Sequence, residues 1–202
     1  RIQITLNVDI KKSREYSEEI LNSTGKINDF IEDMLDFSRE HKLELDNLNL
    51  KELLVEIKAE IKNSGLMKGK NIDLHISTNG RKYTVMGDRR KLWRVFNNLI
   101  KNACEAVNGN GTIKIKLSDA GEYIITEVKD NGEGIEKSQL EEIFEPFTTT
   151  RSNGTGLGLS IVQRIVSSHK GNVYVESDKG VGTTFTVKLP KKGVKNAKNS
   201  YS

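Results

Sequence analysis

Two asparagines on one predicted helix are the first residues that could do chemistry. Asn98 and Asn102 are one helical turn apart, so their amides lie on one side of the helix, away from the apolar side with Leu99 and Ile100. An amide oxygen is a neutral hard ligand for Mg²⁺, which usually takes one or two protein ligands and completes its octahedron with phosphates and water. The alternative is local hydrogen bonding or capping, and two spaced asparagines alone favour neither interpretation.

An aspartate before two glycines stands at the end of a predicted strand. The segment reads Asp130-Asn-Gly132-Glu-Gly134-Ile135. A carboxylate at a strand end can accept a hydrogen bond from the exocyclic amine of adenine, while glycines let the backbone approach the ring. Asp-Asn-Gly is also a very common turn sequence, so this segment taken alone favours an ordinary turn.

A later glycine-bearing segment could bind phosphate. After Phe147 the chain has no sustained apolar period, and it ends in glycines that open the next helix. Backbone N–H groups of Gly156, Leu157 and Gly158 at a helix N-terminus would form an anion site. We therefore predict that residues 144–158 form a mobile lid over a bound phosphate compound. Further candidate phosphate donors in this lid are Thr149, Thr150 and Arg151, although an ordinary solvated loop explains the two threonines almost equally well.

Neither of the two common phosphate-binding patterns matches these glycines. The Walker pattern needs four residues between its glycines and then Lys-Ser/Thr, whereas Gly65 and Gly69 are separated by three residues and followed by Lys-Asn. The dinucleotide fingerprint needs Gly-x-Gly-x-x-Gly, whereas Gly154, Gly156 and Gly158 are spaced two and two. Both common types of phosphate loop are therefore excluded.

Hydrophobic periodicity predicts the elements that must position these groups. An amphipathic helix is expected at 51–63, a second helix capped by Asp88, a short helix at 138–143, and a helix that ends near His169. Alternating strands are expected at 72–76, 113–117, 122–129, 172–177 and 183–189. Helices on one face of a mixed, mostly antiparallel sheet form an α+β fold, a two-layer α/β sandwich.

An amphipathic helical segment precedes this domain. Apolar residues recur at intervals of four and three from Tyr16 to Phe37 and include Ile20, Ile27, Phe30 and Met34. The stripe is wide enough to predict one helix of a four-helix bundle. We expect a helical region at 1–44, an α/β domain at 45–190 and a basic, flexible tail at 191–202.

Composition excludes several classes of protein. The 202 residues carry a net charge of +4, with 30% charged and 35% hydrophobic residues. A single cysteine, Cys104, cannot form an intramolecular disulfide and fits a reducing, cytoplasmic setting. No apolar stretch is long enough to cross a bilayer, and the basic residues do not cluster with aromatic ones. We therefore expect neither membrane contact nor nucleic-acid binding from this chain.

Four segments, taken in order, resemble the N, G1, F and G2 boxes of the ATP-binding domain of sensor histidine kinases, members of the GHKL superfamily. The segments begin at Asn98, Asp130, Phe144 and Gly154. Gly182-Thr183-Thr-Phe185 is similar to the family's closing glycine box, and residues 27–39 are similar to the second helix of the dimerisation and phosphoacceptor domain. The resemblance implies a Bergerat-type fold with ATP and Mg²⁺ as cofactors.

The resemblance also implies a role for each candidate residue. Asn102 would bind Mg²⁺, and Asp130 would read adenine. Asn98 stands where ATP-hydrolysing relatives carry a water-activating glutamate; because an amide cannot accept that proton, transfer to a protein is favoured over hydrolysis. Arg151 would neutralise charge during phosphoryl transfer. The other residues expected at the nucleotide are Gly132, Gly134, Ile135, Phe147, Thr150, Gly154, Thr155, Gly156, Leu157, Gly158 and Thr183.

No histidine in this chain stands in the His-Glu-x-x-x-Pro context of a phosphoacceptor. His41, His75 and His169 are expected to be structural or surface residues, and the phosphoacceptor is expected upstream of Arg1 in a parent that could be membrane-anchored. Expected partners are a second copy, bound through residues 16–37, and a response regulator receiver domain. The alternatives are a GHKL ATPase module, such as a topoisomerase, chaperone or mismatch-repair clamp, and a nucleotide-binding scaffold without kinase activity.

Overall fold

The computed structural model describes residues 42–79, 82–149 and 155–191, together with 10, 12–17, 20, 24, 25, 31 and 34. The chain divides into two compact units, residues 1–41 and residues 42–202. The predicted boundary near residue 45 and the predicted tail stay predictions, and residues 192–202 lie outside the described part.

In the N-terminal unit the described residues are helical. Ser17 Oγ donates to the Ser13 carbonyl and Thr24 Oγ1 to the Ile20 carbonyl, both at 2.8 Å, which is the one-turn spacing of an α-helix. Apolar side chains of this unit are exposed at Ile10, Tyr16, Ile20, Ile31 and Met34. Ile27, Phe30 and Phe37, the rest of the predicted stripe, lie outside the described residues.

The second unit is a five-stranded mixed sheet with helices packed on one face. The elements are β1 Asp46–Asn49, α1 Leu50–Asn63, β2 Asn71–Ser77, β3 Thr84–Gly87, α2 Arg89–Ala106, β4 Asn110–Ala120, β5 Tyr123–Asp130, α3 Gly158–Ser168, β6 Asn172–Asp178 and β7 Gly182–Pro190. The sheet has the order β2-β4-β5-β7-β6, with β2 and β4 parallel and the other pairs antiparallel, while β1 and β3 form a separate antiparallel pair. The α+β prediction is therefore confirmed.

Side-chain caps define where two of the helices begin. Asn49 caps α1 by accepting a hydrogen bond from the Lys51 amide at 3.1 Å, and its own amide donates to Glu52 at 2.7 Å. Asp88 caps α2, as predicted, by accepting from the Lys91 amide at 3.1 Å. These bonds satisfy N–H groups that have no partner inside a helix.

The core lies between the helices and the inner face of the sheet. Alternate strand residues such as Ile113, Ile115 and Ile124 are fully buried, and Phe96 and Leu99 of α2 are buried with them. Each such side chain contributes roughly 1.5 to 3 kcal/mol on full burial. The helix that carries the two asparagines is therefore fixed on the sheet by its opposite, apolar face.

Two parts of the fold differ from the prediction. Strands β1 and β3 were not expected, because each has only four residues. The helix predicted at 138–143 is a 3₁₀ turn at Lys137–Gln139 followed by further turns. A segment this short does not offset the cost of nucleating an α-helix, and Pro146 follows it closely.

Candidate functional site

The predicted site residues that the structure describes lie mainly on α2, at the end of β5, in the β6–β7 hairpin and near the start of α3. Glu133, in the loop after β5, donates its N–H to the carbonyl of Ala106 at the end of α2 at 3.0 Å. The same residue accepts from the Gly180 N–H of the hairpin at 2.7 Å. Asn98 of α2 contacts Gly158 at the start of α3. The structure thus connects segments that are far apart in sequence.

Asp130 is held rigidly at the end of β5. Its side chain is only 3% exposed, and its Oδ1 accepts from the Gly132 N–H at 2.8 Å and from the Thr183 N–H at 3.3 Å. Two backbone donors from different elements therefore fix the direction of the carboxylate. A buried and oriented acceptor of this kind can recognise a hydrogen-bond donor on a ligand.

The two glycines after Asp130 lie against the protein's own backbone. A Cβ on Gly132 would lie 2.5 Å from the Ala106 carbonyl oxygen, and a Cβ on Gly134 would lie 2.1 Å from the Asp178 carbonyl oxygen. Gly134 also has a left-handed φ of +65°. The sequence suggested glycines that admit a ring; the structure shows that close approach within the protein already requires glycine at both positions.

The end of α2 that carries Asn102 is tied down by a lysine. Lys70 Nζ donates to the Cys104 carbonyl at 2.9 Å and to the Glu105 carbonyl at 3.4 Å, which satisfies two carbonyls at the helix C-terminus. Burial raises the pKa of the Cys104 thiol to about 11, so this cysteine is a neutral core residue near neutral pH. Asn102 is half-buried on the same turn.

Asn98 lies against the first turn of α3. Its Nδ2 is 3.4 Å from the Gly158 carbonyl oxygen, and a Cβ on Gly158 would lie 3.8 Å from the Asn98 amide carbon. The residue predicted to replace a catalytic base therefore neighbours a residue predicted to bind phosphate. Its catalytic role stays a prediction.

The base of the lid is closed by a backbone hydrogen bond. The Phe147 N–H donates to the Gly156 carbonyl at 2.9 Å, and a Cβ on Gly156 would lie 2.4 Å from the Phe147 carbonyl carbon. Phe147 has a φ of +67°, which is rare for a residue with a side chain. Thr150, Arg151 and Gly154 lie outside the described residues, and their phosphate-binding roles stay predictions.

The N-terminus of α3 has no side-chain cap. Its N-cap residue is Leu157, which makes no capping hydrogen bond and whose own side chain is fully buried. The Leu157 N–H donates to Thr155 Oγ1 at 3.3 Å, so this amide already has a partner within the protein. An uncapped N-terminus of this kind suits an anion.

The two lid phenylalanines behave differently from each other. Phe144 packs edge-on against Phe185, with 6.5 Å between ring centroids, as expected for a hydrophobic anchor. Phe147, which the resemblance places at the nucleotide, has a side chain that is 60% exposed. Its contact with a nucleotide stays a prediction.

The two described histidines have structural surroundings. His169 Nε2 accepts from the Asp88 N–H at 2.9 Å, and its Nδ1 lies 2.8 Å from the Ile165 carbonyl, so the ring joins the end of α3 to the start of α2. Burial lowers the pKa of His169. His75 is exposed and pairs with Asp73 at 2.6 Å. His41 lies outside the described residues.

One residue near Asp130 was missed by sequence reasoning. Ser177 Oγ lies 2.8 Å from the Ile135 nitrogen and 2.9 Å from Thr183 Oγ1, so it contacts two residues that were predicted to touch the nucleotide. The only signal in the sequence was its position six residues before Thr183, across a Lys-Gly turn that predicts a hairpin.

Among the described residues no three His, Cys, Asp or Glu side chains gather as a metal site. A cation here would depend on amide oxygens and on the ligand's phosphates. In the same part of the chain, no helix has both the length and the apolar character that a bilayer crossing requires.

Residues 87–193 match the family described as histidine kinase-, DNA gyrase B-, and HSP90-like ATPase. The signal transduction histidine-protein kinase AtoS of Escherichia coli (strain K12) is 34% identical over 180 residues, which are 88% of this chain and 29% of that protein. Sporulation kinase A of Bacillus subtilis (strain 168) is 39% identical over 145 residues, 72% of this chain and 24% of that protein. The chain spans about a third of the length of the curated relatives it matches.

Solved structures give the same picture. The catalytic domain of histidine kinase ThkA, in a nucleotide-free form, is 34% identical with a TM-score of 0.68, over 74% of this chain and 97% of that chain. Histidine kinase ThkA in complex with response regulator protein TrrA is 31% identical with a TM-score of 0.74, over 88% of this chain and 51% of that chain.

Proposed function

Because this chain belongs to the histidine kinase-, DNA gyrase B-, and HSP90-like ATPase family, we propose that it is the ATP-binding catalytic region of a two-component sensor histidine kinase. The observation that carries the proposal is the extent of the similarity. A named histidine kinase matches 88% of the chain, whereas the ATPase family match begins only at residue 87. Similarity that extends beyond the ATPase region favours a kinase over the other members of the family.

The subsite for the base is centred on Asp130. Its buried carboxylate, fixed by the Gly132 and Thr183 amides, accepts from the exocyclic amine of adenine. Gly134 and Ile135 continue the loop that forms the wall of this subsite. The residues from Phe147 to Gly158 contact the phosphates, with the uncapped start of α3 as the anion site.

The donor chemistry of α2 fits Mg²⁺. Asn102 supplies an amide oxygen one turn from Asn98, and the described residues gather no carboxylate cluster that would compete for the ion. Mg²⁺ bound to Asn102 and to the triphosphate would neutralise charge on the phosphoryl group. Asn98 cannot act as a general base towards water, and Arg151 adds positive charge at the lid. These residues favour transfer to a protein acceptor over hydrolysis.

We do not assign the acceptor to any of the three histidines of this chain, since the residue that follows each of them is not acidic. His169 is buried and uses both ring nitrogens within the fold, and His75 pairs with Asp73 on an exposed strand. Neither stands before the acidic residue that a phosphoacceptor context requires.

The proposed partners are a second copy of the chain and a receiver domain. The exposed apolar residues of the N-terminal unit, among them Tyr16, Ile20 and Met34, support homodimerisation because such side chains gain free energy on burial. A relative of similar structure is known in complex with a response regulator, which supports the second partner.

A phosphorylation assay tests this function. The parent protein, incubated with γ-labelled ATP and Mg²⁺, should gain acid-labile, alkali-stable phosphate, and Asp130→Asn in the parent should lower the yield strongly at an ATP concentration that just saturates the wild type. The 202-residue chain alone should gain none. Release of inorganic phosphate by the parent without any phosphohistidine would favour the ATPase alternative, and label on His41, His75 or His169 would overturn the assignment of the acceptor.

A further inference from the structure

One serine lies at the centre of the contacts between the β6–β7 hairpin and the loop after Asp130. Ser177 stands opposite Thr183 in the pairing of β6 with β7. Its hydroxyl oxygen is 2.8 Å from the Ile135 nitrogen, 2.9 Å from the Gly182 carbonyl oxygen and 2.9 Å from the Thr183 hydroxyl oxygen. A hydroxyl has one donor and two acceptor positions, so these three bonds use its full capacity.

The chemistry of the groups fixes the direction of each bond. The Ile135 N–H can only donate, and the Gly182 carbonyl can only accept. The single proton of Ser177 therefore goes to Gly182, and its remaining lone pair accepts from Thr183. Because the Thr183 proton is directed at Ser177, the Thr183 oxygen presents lone pairs to a ligand or to a bridging water.

On both sides of Ser177 the backbone of the loop packs closely against the backbone of the hairpin. A Cβ on Gly182 would lie 2.2 Å from the Asp130 carbonyl oxygen, just as a Cβ on Gly134 would lie 2.1 Å from the Asp178 carbonyl oxygen. The hairpin also orients the carboxylate directly, through the Thr183 N–H. A shift of the hairpin would therefore move Asp130.

We propose that Ser177 is a positioning residue for base recognition. Its hydroxyl holds the loop after Asp130 against the hairpin and makes Thr183 a hydrogen-bond acceptor. The side chains of Asp130 and Thr183 therefore both offer acceptor atoms, and no donor, to the base. The inference rests on the proposed function, in which Asp130 reads adenine. The 6-position of adenine carries an amine where that of guanine carries a carbonyl oxygen, so acceptors directed at this position favour adenine and disfavour guanine.

The test uses calorimetric titration of the chain with non-hydrolysable ATP and GTP analogues. Ser177→Ala should weaken binding of the ATP analogue about tenfold while the affinity for the GTP analogue changes less than about twofold, because one oriented hydrogen-bond network is lost. Ser177→Thr keeps the hydroxyl and should restore the affinity. Ser168→Ala is the matched control, since Ser168 Oγ donates to the Ile165 carbonyl in its own helix at 2.8 Å.

The possible failures can be told apart. If the wild-type chain has no affinity for the ATP analogue, the proposed function is wrong, and this inference is wrong with it. If the wild type binds and Ser177→Ala keeps its affinity and its preference for ATP, only the inference is wrong. Equal losses for both analogues, accompanied by a lower melting temperature and no rescue by Ser177→Thr, would make Ser177 a structural residue and would also overturn the inference.

Discussion

The end of the site around Asp130 and the end around the start of α3 are held in place by different kinds of contacts. At Asp130 the loop, the hairpin and the end of α2 meet through backbone hydrogen bonds and through glycines with no space for a side chain. At the start of α3 the contacts include the Phe147 to Gly156 backbone bond, the bond from the Leu157 N–H to Thr155 Oγ1 and the 3.4 Å contact from Asn98 to Gly158.

This difference suggests that the two ends of the site bind different parts of the nucleotide. A base of fixed shape is best recognised by groups that do not move, because preorganised contacts cost no ordering entropy on binding. A triphosphate must enter and leave with its metal, so we expect the contacts at the start of α3 to yield more readily than those at Asp130. Substitutions at the two ends should therefore affect different parts of the ligand.

The largest effect is expected from Gly134→Ala. The new Cβ would overlap the Asp178 carbonyl in a left-handed backbone, which should lower the free energy of unfolding by about 2 to 5 kcal/mol and remove nucleotide binding. Gly180→Ala is the control, with a φ of +78° and open space around it, and should cost only the backbone strain, about 1 to 2 kcal/mol. Urea denaturation gives both values; equal losses would mean that the loop and the hairpin are not locked together.

At the other end of the site, Gly156→Ala should weaken binding of the phosphates without changing binding of the base. Its Cβ would overlap the Phe147 backbone at the base of the lid, so we expect about tenfold weaker binding of the ATP analogue and unchanged binding of adenosine. Gly65→Ala has a similar φ, +77°, with nothing nearby, and should leave both affinities unchanged. A parallel loss of adenosine affinity in Gly156→Ala would contradict the division between the two ends.

A smaller effect is expected from pH at the far end of α3. Burial lowers the pKa of His169 below its ordinary value of 6.5, so the unfolded chain takes up a proton before the folded chain does. Stability from this residue is complete above pH 6.5 and is lost as the pH falls through the lower folded value. Protonation also breaks the bond from the Asp88 N–H.

The measurement is urea unfolding at about pH 7.5 and about pH 5.5 for the wild type and His169→Gln. The glutamine carbonyl can accept from Asp88 and does not titrate, so the variant should lose less stability between the two conditions. An equal loss in both proteins would show that other groups cause the acid sensitivity.

The smallest effect is expected from a substitution at Thr126 on β5, the strand that ends at Asp130, and it concerns the free energy of unfolding. The Thr126 hydroxyl is buried and, within the described part of the chain, has no hydrogen-bond partner. Thr126→Val should therefore raise the free energy of unfolding by about 1 kcal/mol and leave nucleotide affinity unchanged. Thr186→Val, at a half-buried position on β7, should have little effect. A changed nucleotide affinity in Thr126→Val would mean that the end of the site around Asp130 is not fully ordered before the nucleotide binds.

Local patterns in the sequence predicted the features that depend on neighbouring residues. The alternation in β4 to β7, the Asp88 cap and the gathering of the glycine segments on one α+β unit were all predicted. Strands β1 and β3 were missed because pairing Asp46 with Gly87 joins short segments far apart in the chain. Ser177 was missed for the same reason, since its partner Ile135 is 42 residues away. The left-handed backbone of Phe147 has no signal in its residue type.

Titration of the wild-type chain and Asp130→Asn with a non-hydrolysable ATP analogue and Mg²⁺ tests the central claim most directly, with Asp178→Asn as an exposed control from the adjacent hairpin. The wild type and the control should bind with one site and equal affinity. Asp130→Asn should lose about 1 to 3 kcal/mol of binding free energy, because an amide donor would face the amine of adenine. Equal affinity in the wild type and Asp130→Asn would contradict the assignment of Asp130 as the residue that reads the base.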